Sequence, residues 1–327
     1  MHTNGKLFQI HIWGTSHEKQ MGVIVEAVPP GLPLSLDDFK DDLDRRRAGG
    51  PGTSKRTEQD VPQLISGLYK GKTTGGPVHI VFDNENQIPD DYTALSFPRP
   101  GHADFAANQK YKGYNDPRGG GFFSGRMTLL LVAAGVLAKK IMQPLRFESR
   151  IIHIGGHADY DNVVKQTAKD GDSIGGEVEC RVDGLKPGIG EPFFNSLESA
   201  ISKLVFSIPG AKAIAFGDGF HADTMKGSEF NDAIINAEGK TKTNHNGGIN
   251  GGISNGNPVV FSVKFRPPAS IAQAQNTWHP EKGKMETVSI GGRHDSCYVL
   301  RTPVILEAVA AIAIADLYMI SNTINLN

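Results

Sequence analysis

Cysteine is scarce in these 327 residues: Cys180 and Cys297 are the only two. One pair cannot build a disulfide framework, and a zinc site needs more ligands, so a cysteine-stapled scaffold is excluded and no metal is expected. Charge of one sign is lacking too. With 34 Lys+Arg against 35 Asp+Glu the formal net charge is −1. That excludes the whole-molecule basic field of a protein that searches for nucleic acid or an anionic membrane. The opening MHTNGKLFQIHIWGTSHE lacks the charged-then-apolar signature of a secretory signal, and the cytoplasm is the compartment expected for so little cysteine. Long uninterrupted apolar runs are missing as well. Thr128–Met142 is about fifteen residues against the ~20 that cross a bilayer, and Pro303–Ile320 carries Glu307 and Asp316 inside it. Both read as helices buried on most sides of a large core. No low-complexity linker divides the chain, so one α+β domain spanning 1–327 fits better than the two that length alone suggests.

What the chain has in quantity is glycine and proline, 39 and 19. They punctuate a readable series of elements. Strands are expected at Leu7–Trp13, Val23–Val28, Ile65–Tyr69, Val78–Phe82 and Val259–Phe265. Ser35–Arg47 reads as a helix, capped by Ser35, with Asp37 and Asp38 in its first turn and Arg45–Arg47 in its last. Gly49 and Gly50 stop it. A short helix is expected around Ala103–Lys112, a loop at Ile271–Lys284, and a last helix with Thr302 as cap and Pro303 at its first position. Gly22–Pro33 and Gly176–Gly188 echo one another: each is a strand, a Pro/Gly turn, then a helix opened by a small polar residue, Ser35 or Asn195. Duplication of a strand–helix unit and chance recurrence explain this echo equally well.

Chemistry-bearing residues sit in four Gly-containing loops, where backbone can approach a ligand closely. Gly14-Thr15-Ser16-His17-Glu18 follows a strand, and Arg99-Pro100-Gly101-His102-Ala103-Asp104 precedes the short helix. Each offers an imidazole that titrates near neutrality, although a lone loop histidine is more often a surface turn residue. Arg118–Arg126 places three glycines, Ser124 and Arg126 before an apolar helix, a phosphate cradle or simply a tight turn. Gly292-Arg293-His294-Asp295 precedes the last helix, where a structural salt bridge is the plainer reading. Arginines in a last helical turn are ordinarily solvated, but Arg45–Arg47 with Lys55 and Arg56 could close over an anion. Gly52-Thr53-Ser54-Lys55 has Ser before Lys and fails the phosphate-loop pattern, and no GxGxxG follows a strand. His153 and His157, separated by Gly-Gly in strand-like surroundings, do not form a helical metal pair.

Taken in order, GTSHE, VPPGLPL, DLDRRR, SGLYKGKTTGGPV, DY, RPGHADF, KY, RGGG, SGR, SIPGAKAIAFGDGF, NHNGGINGGISNG, RPPAS and GRHDSC cover nearly the whole chain. So ordered a series closely resembles the chorismate synthase family. The resemblance implies a β-α-β sandwich with buried apolar helices between antiparallel sheets, a homotetramer, and a lyase of the shikimate pathway. Its reaction would be the anti 1,4-elimination of phosphate from 5-enolpyruvylshikimate 3-phosphate, with reduced FMN required and no net redox change. By the same resemblance His17 and His102 are acid–base residues, and Asp295, Ser16 and Ser124 support proton removal. Arg46, Arg99, Arg126 and Arg293 become anion contacts. Flavin contacts carry over to Phe122, Phe123, Ser124, Pro209, Gly210, Gly251, Arg266, Pro267, Pro268, Ala269, Ser270 and Arg293. The chain departs from the family where Phe122-Phe123 replaces a frequent Arg-Ser, removing a cationic flavin contact, and where Arg266 stands for a frequent Lys. Two rival readings remain: a flavin reductase driven by NAD(P)H, and a non-catalytic binder of anionic polymers resting on Arg45–Arg47. Nothing resembles an added nicotinamide domain, so reduced FMN is expected from elsewhere.

Overall fold

Alternate residues set the two sheets. Met21, Val23 and Val25 are fully buried on one face of Gln20–Val25, as are Val78, Ile80 and Phe82 on Val78–Asp83, the period-2 pattern of a strand covered on one side. A computed structural model describes residues 2–324 apart from 48, 51, 54–57, 86–96 and 293. The first sheet is built from β1 (Thr3–Asn4), β2 (Ile10–Gly14), β3 (Gln20–Val25), β4 (Gln63–Ser66) and, after a small hairpin of β5 (Leu68–Tyr69) and β6 (Lys72–Thr73), β7 (Val78–Asp83). Its order is β1-β2-β3-β7-β4, antiparallel at every pairing. The second sheet takes β8 (Arg146–Ile154), β9 (Gly176–Asp183), β10 (Ala211–Phe216) and, after a hairpin of β11 (Ile249–Asn250) and β12 (Ile253–Ser254), β13 (Val259–Phe265). Its order is β10-β13-β9-β8, again antiparallel. A two-stranded ribbon of β14 (Gln275–His279) and β15 (Lys284–Val288) follows.

The α-helices that join the sheets are α1 (Asp37–Arg46), α2 (Asp104–Tyr111), α3 (Thr128–Ile141), α4 (Asp161–Lys169), α5 (Leu197–Val205), α6 (Gly227–Phe230) and α7 (Pro303–Ile324). Of these, α1, α3, α5 and α7 supply most of the buried helical surface, while α2, α4 and α6 bury one residue or none. α3 packs on β3 and α1, α7 on β8, β9 and α5, and the two meet each other. Their closest approach needs a glycine: a Cβ on Gly135 would fall 2.4 Å from the Ala308 Cβ and 2.6 Å from its Cα. α7 is long and apolar enough to cross a bilayer by length and composition, but 72% of that stretch is buried inside the protein. Both of its acids are engaged. Glu307 accepts from Arg45 and Lys139, and Asp316 accepts the N–H groups of Lys6, Leu7 and Phe8.

The echo seen in the sequence extends to the whole topology. One half runs β2-β3-α1-β4-hairpin-β7-α3 and the other β8-β9-α5-β10-hairpin-β13-α7, with matching sheet orders β2-β3-β7-β4 and β8-β9-β13-β10. Agreement over four strands, a hairpin and two helices favours duplication over chance. Several expectations need correction. Ser35 does not cap α1: its N–H donates to Asp38 Oδ2 at 2.8 Å, and Leu36 stands at the cap. The cap of α5 is Ser196, not Asn195, and its hydroxyl accepts from the Ser199 N–H at 3.0 Å. The expected loop Ile271–Lys284 contains β14. Lys55, Arg56, Arg293 and the Asp91-Tyr92 pair lie outside the described residues.

Candidate active site

Equivalent connections of the two halves converge at one end of the sandwich. The α1–β4 and β7–α3 connections of the first half meet the α5–β10 and β13–α7 connections of the second around a cleft of about 950 Å³. That volume is at the upper end of ligand pockets, roughly 300–1,000 Å³. Among the described residues its wall carries Arg46, Arg47, Arg99, Arg126, Arg266 and Arg301, three histidines (His17, His102 and His294), and the acids Glu58, Asp60, Asp104 and Asp295.

The β2–β3 loop delivers the first histidine. Thr15, Ser16 and His17 are 2%, 0% and 4% exposed, so His17 is no surface turn residue. The Ser16 hydroxyl lies 2.8 Å from His17 Nδ1, which places Ser16 behind the ring rather than on the cleft wall. Asn84, at the end of β7, holds the loop by donating to the carbonyls of Thr15 and Glu18. The triple glycine explains itself here. Gly119, Gly120 and Gly121 have φ of 54°, 84° and 53°, values that side chains rarely tolerate. A Cβ on Gly119 would sit 1.9 Å from His17 Cε1, and one on Gly120 would sit 3.2 Å from His102 Nε2. The stretch expected to cradle phosphate is thus the floor on which both histidines rest.

His102 comes from the segment before α2. Its Nδ1 lies 2.5 Å from Asp104 Oδ1. Arg99, expected as an anion contact, gives its Nε to Asp104 Oδ2 at 2.7 Å and one Nη to Oδ1 at 2.8 Å, and its other Nη to Ser270 Oγ at 3.2 Å. Burial would raise the Asp104 carboxyl, but hydrogen bonds from Arg99 and His102 and their charge hold it well below the ordinary carboxylate range.

Two further arginines are buried, with contrasting partners. Arg126 is bound on every side: Nε donates to Asn84 Oδ1 at 2.7 Å, Nη1 to Asp60 Oδ1 at 3.0 Å, and Nη2 pairs with Glu58. Its role is therefore to link the acids to the His17 loop, with little donor capacity left for a ligand. Arg46 is the opposite case. It is 1% exposed, touches Asp60 Oδ2 only at 3.4 Å, and its Nε and Nη1 have no hydrogen-bond partner among the described residues. Burial, then the nearby Arg301 and Arg126 against Asp60, pushes its guanidinium down to about 10. The solvated helix-end reading fails for Arg46.

Asp295 is tied to Arg301 at 3.0 Å, and Arg301 Nε donates to the Arg46 carbonyl at 3.1 Å. Ser124 accepts from the Arg126 N–H at 3.3 Å and faces the same cleft. Phe123, Pro209, Gly210, Arg266, Pro267, Pro268, Ala269 and Ser270 all line it. Two expected flavin contacts do not. Phe122 turns outward and stacks on His2 with ring centroids 4.7 Å apart, and Gly251 forms the turn between β11 and β12, away from the cleft. Sequence reasoning missed Glu58, Asp60, Asn84, Asp104 and Arg301. Asp104, two residues from His102, was the one with a readable signal.

Comparison with known proteins agrees with this geometry. The family model described as Chorismate synthase matches residues 8–319. The chorismate synthase of Chitinophaga pinensis is 50% identical, over 99% of this chain and 98% of that protein. That of Korarchaeum cryptofilum is 40% identical over 95% and 96%. A crystal structure of chorismate synthase shares the fold with a TM-score of 0.74, at 23% identity over 97% of this chain and 93% of the other. At such identity and coverage the chain belongs to the chorismate synthase family, and it is a lyase.

Proposed function

We propose that the chain converts 5-enolpyruvylshikimate 3-phosphate into chorismate and phosphate, with reduced FMN held in the same cleft and no net redox change. Arg46 carries the proposal: a buried guanidinium with two unpartnered donors is costly to maintain unless an anion completes it. The substrate brings a phosphate and two carboxylates. Loss of phosphate breaks a C–O bond and gathers charge on the leaving oxygens, which preorganised donors stabilise. Arg46 holds an anionic group and His17, braced by Ser16, supplies a proton to the departing phosphate. Asp295, fixed by Arg301, lies on the same wall as a proton acceptor.

The residues present suit a flavin. Phe123, Pro267, Pro268, Ala269 and Ile290 offer apolar surface for a planar ring, and Arg266 lies beside them in a cleft roomy enough for two ligands. When bound, reduced FMN supplies transient electron density to the reacting system and recovers it. The same reading carries a homotetramer, a cytoplasmic location and reduced FMN made elsewhere.

The test is anaerobic. Purified protein with substrate and dithionite-reduced FMN is expected to release phosphate and form chorismate in equal amounts; absence of both overturns the proposal. NAD(P)H with FMN alone is expected to give no flavin reduction. His17→Ala and His102→Ala should each lower turnover at least about tenfold while the fold survives.

A further inference from the structure

We infer that Asp104, clamped by Arg99, is the positioning residue of the second histidine, holding His102 with Nδ1 protonated so that Nε2 alone exchanges a proton in the cleft. This rests on the acid–base role proposed for His102. The contacts are few and specific. Asp104 accepts from the Arg99 backbone N–H at 3.0 Å, from Nε at 2.7 Å and from Nη2 at 2.8 Å. A carboxylate so supplied is ionised, and an ionised carboxylate only accepts. His102 Nδ1, 2.5 Å from Oδ1, must therefore bring the hydrogen, because a ring lone pair facing carboxylate oxygen would repel it. Arg99 Nη2 also lies 3.0 Å from Nδ1. A guanidinium has no lone pair to offer and Nδ1–H has none to give, so this is two donors converging on one oxygen.

The other ring nitrogen lies close to the glycine turn. A Cβ on Gly120 would come 3.2 Å from Nε2, so Nε2 rests over the glycine floor. Among the described residues, Arg99 and Asp104 from its own segment and the uncharged glycine turn beneath meet this histidine. From the opposite half, Ser270 engages Arg99 and the Ala269 methyl would meet a Cβ on Gly101. The hydrogen bond at one ring nitrogen sets the state of the other. Arg99 is accordingly a clamp on Asp104, not a substrate anion contact.

The tautomer can be read directly by imidazole 15N NMR on the full chain, with His102 assigned by difference against His102→Ala. The neutral ring is expected to be Nδ1–H in the wild type. In Asp104→Asn, whose amide both donates and accepts, the Nε2–H form should appear. Turnover should then fall at least about tenfold, while the substrate KM changes less than threefold. Asp104→Glu should recover part of the loss. A wild-type ring protonated at Nε2, or an Asp104→Asn ring unchanged in tautomer, overturns the inference. Reading the wild-type tautomer needs only the assigning variant His102→Ala to fold, and no turnover. If His102 is Nδ1–H but the anaerobic assay yields no phosphate, the proposed reaction fails alone. If phosphate is released but the ring is Nε2–H, the assignment of Asp104 fails alone.

Discussion

At the scale of single residues, Gly119 allows the sharpest prediction. Its φ of +54° alone makes a side chain costly, and a Cβ there meets His17 Cε1 at 1.9 Å. Gly31 is the matched control: φ is +84°, with nothing within 4 Å of its Cβ position. Gly119→Ala and Gly31→Ala should each lose about 1–3 kcal/mol in urea unfolding from backbone strain. Only Gly119→Ala should also lose kcat/KM, by roughly a hundredfold, since a displacement of about 1 Å at a reacting group can cost that much. Equal activity in the two would mean that His17 has room to move and no catalytic duty. The triple glycine was legible as a special backbone but not as a floor, because glycines record where something comes close and not what it is. His17 and His102 stood out because histidine in a Gly-containing loop is conspicuous. Glu58 and Asp60 did not: acids in a polar loop look solvated, and their burial depends on Arg126, 66 residues from Asp60.

At the scale of elements, charge ties three helices together. Arg45 on α1 and Lys139 on α3 both donate to Glu307 on α7, whose side chain is 1% exposed against 45% for Arg45. The asymmetry fixes the order of two variants. Glu307→Gln leaves cations that can turn to water and should cost about 1 kcal/mol. Arg45→Met with Lys139→Met strands a buried carboxylate and should cost about 3–5 kcal/mol. Urea midpoints at pH 7 decide this, and the reverse order would show that Glu307 reaches solvent. α3 and α7 were readable as buried helices because apolar residues dominate every face of each with few charges among them, and Pro303 marks the start of α7. β14 and β15 were not, for a physical reason. In Gln275–His279 and Lys284–Val288 only His279 and Val288 are buried. A ribbon mostly in solvent has no inward face to write into its sequence. α4 buries only Val164 and was hidden in the same way.

At the scale of the whole molecule, the two halves share a continuous core from Phe8 to Leu317, and thermal unfolding should show one transition. The cleft lies across their junction, so a ligand there binds both. Arg46 comes from the first half, and its carbonyl accepts from Arg301 of the second. Its guanidinium is pushed from the ordinary arginine range down to about 10, so the folded chain holds that proton less tightly than the unfolded one. The resulting destabilisation is fully present below about pH 10 and fades only as pH climbs from there toward the ordinary arginine range. At neutral pH, then, the ligand-free protein carries a buried cation that Asp60 compensates only in part, at 3.4 Å, and that a further anion would relieve. Arg46→Met should leave the melting temperature of the free protein unchanged or higher, since Asp60 keeps Arg126 as partner. In the wild type a phosphate-bearing substrate at a hundred times its Kd should stabilise by about 2.7 kcal/mol, and in Arg46→Met most of that gain should vanish. Differential scanning calorimetry with and without substrate separates the alternatives. A lowered melting temperature in the free variant with the ligand shift intact would make Arg46 a structural helix-end charge, and the anion would then have to be held by other groups of the cleft.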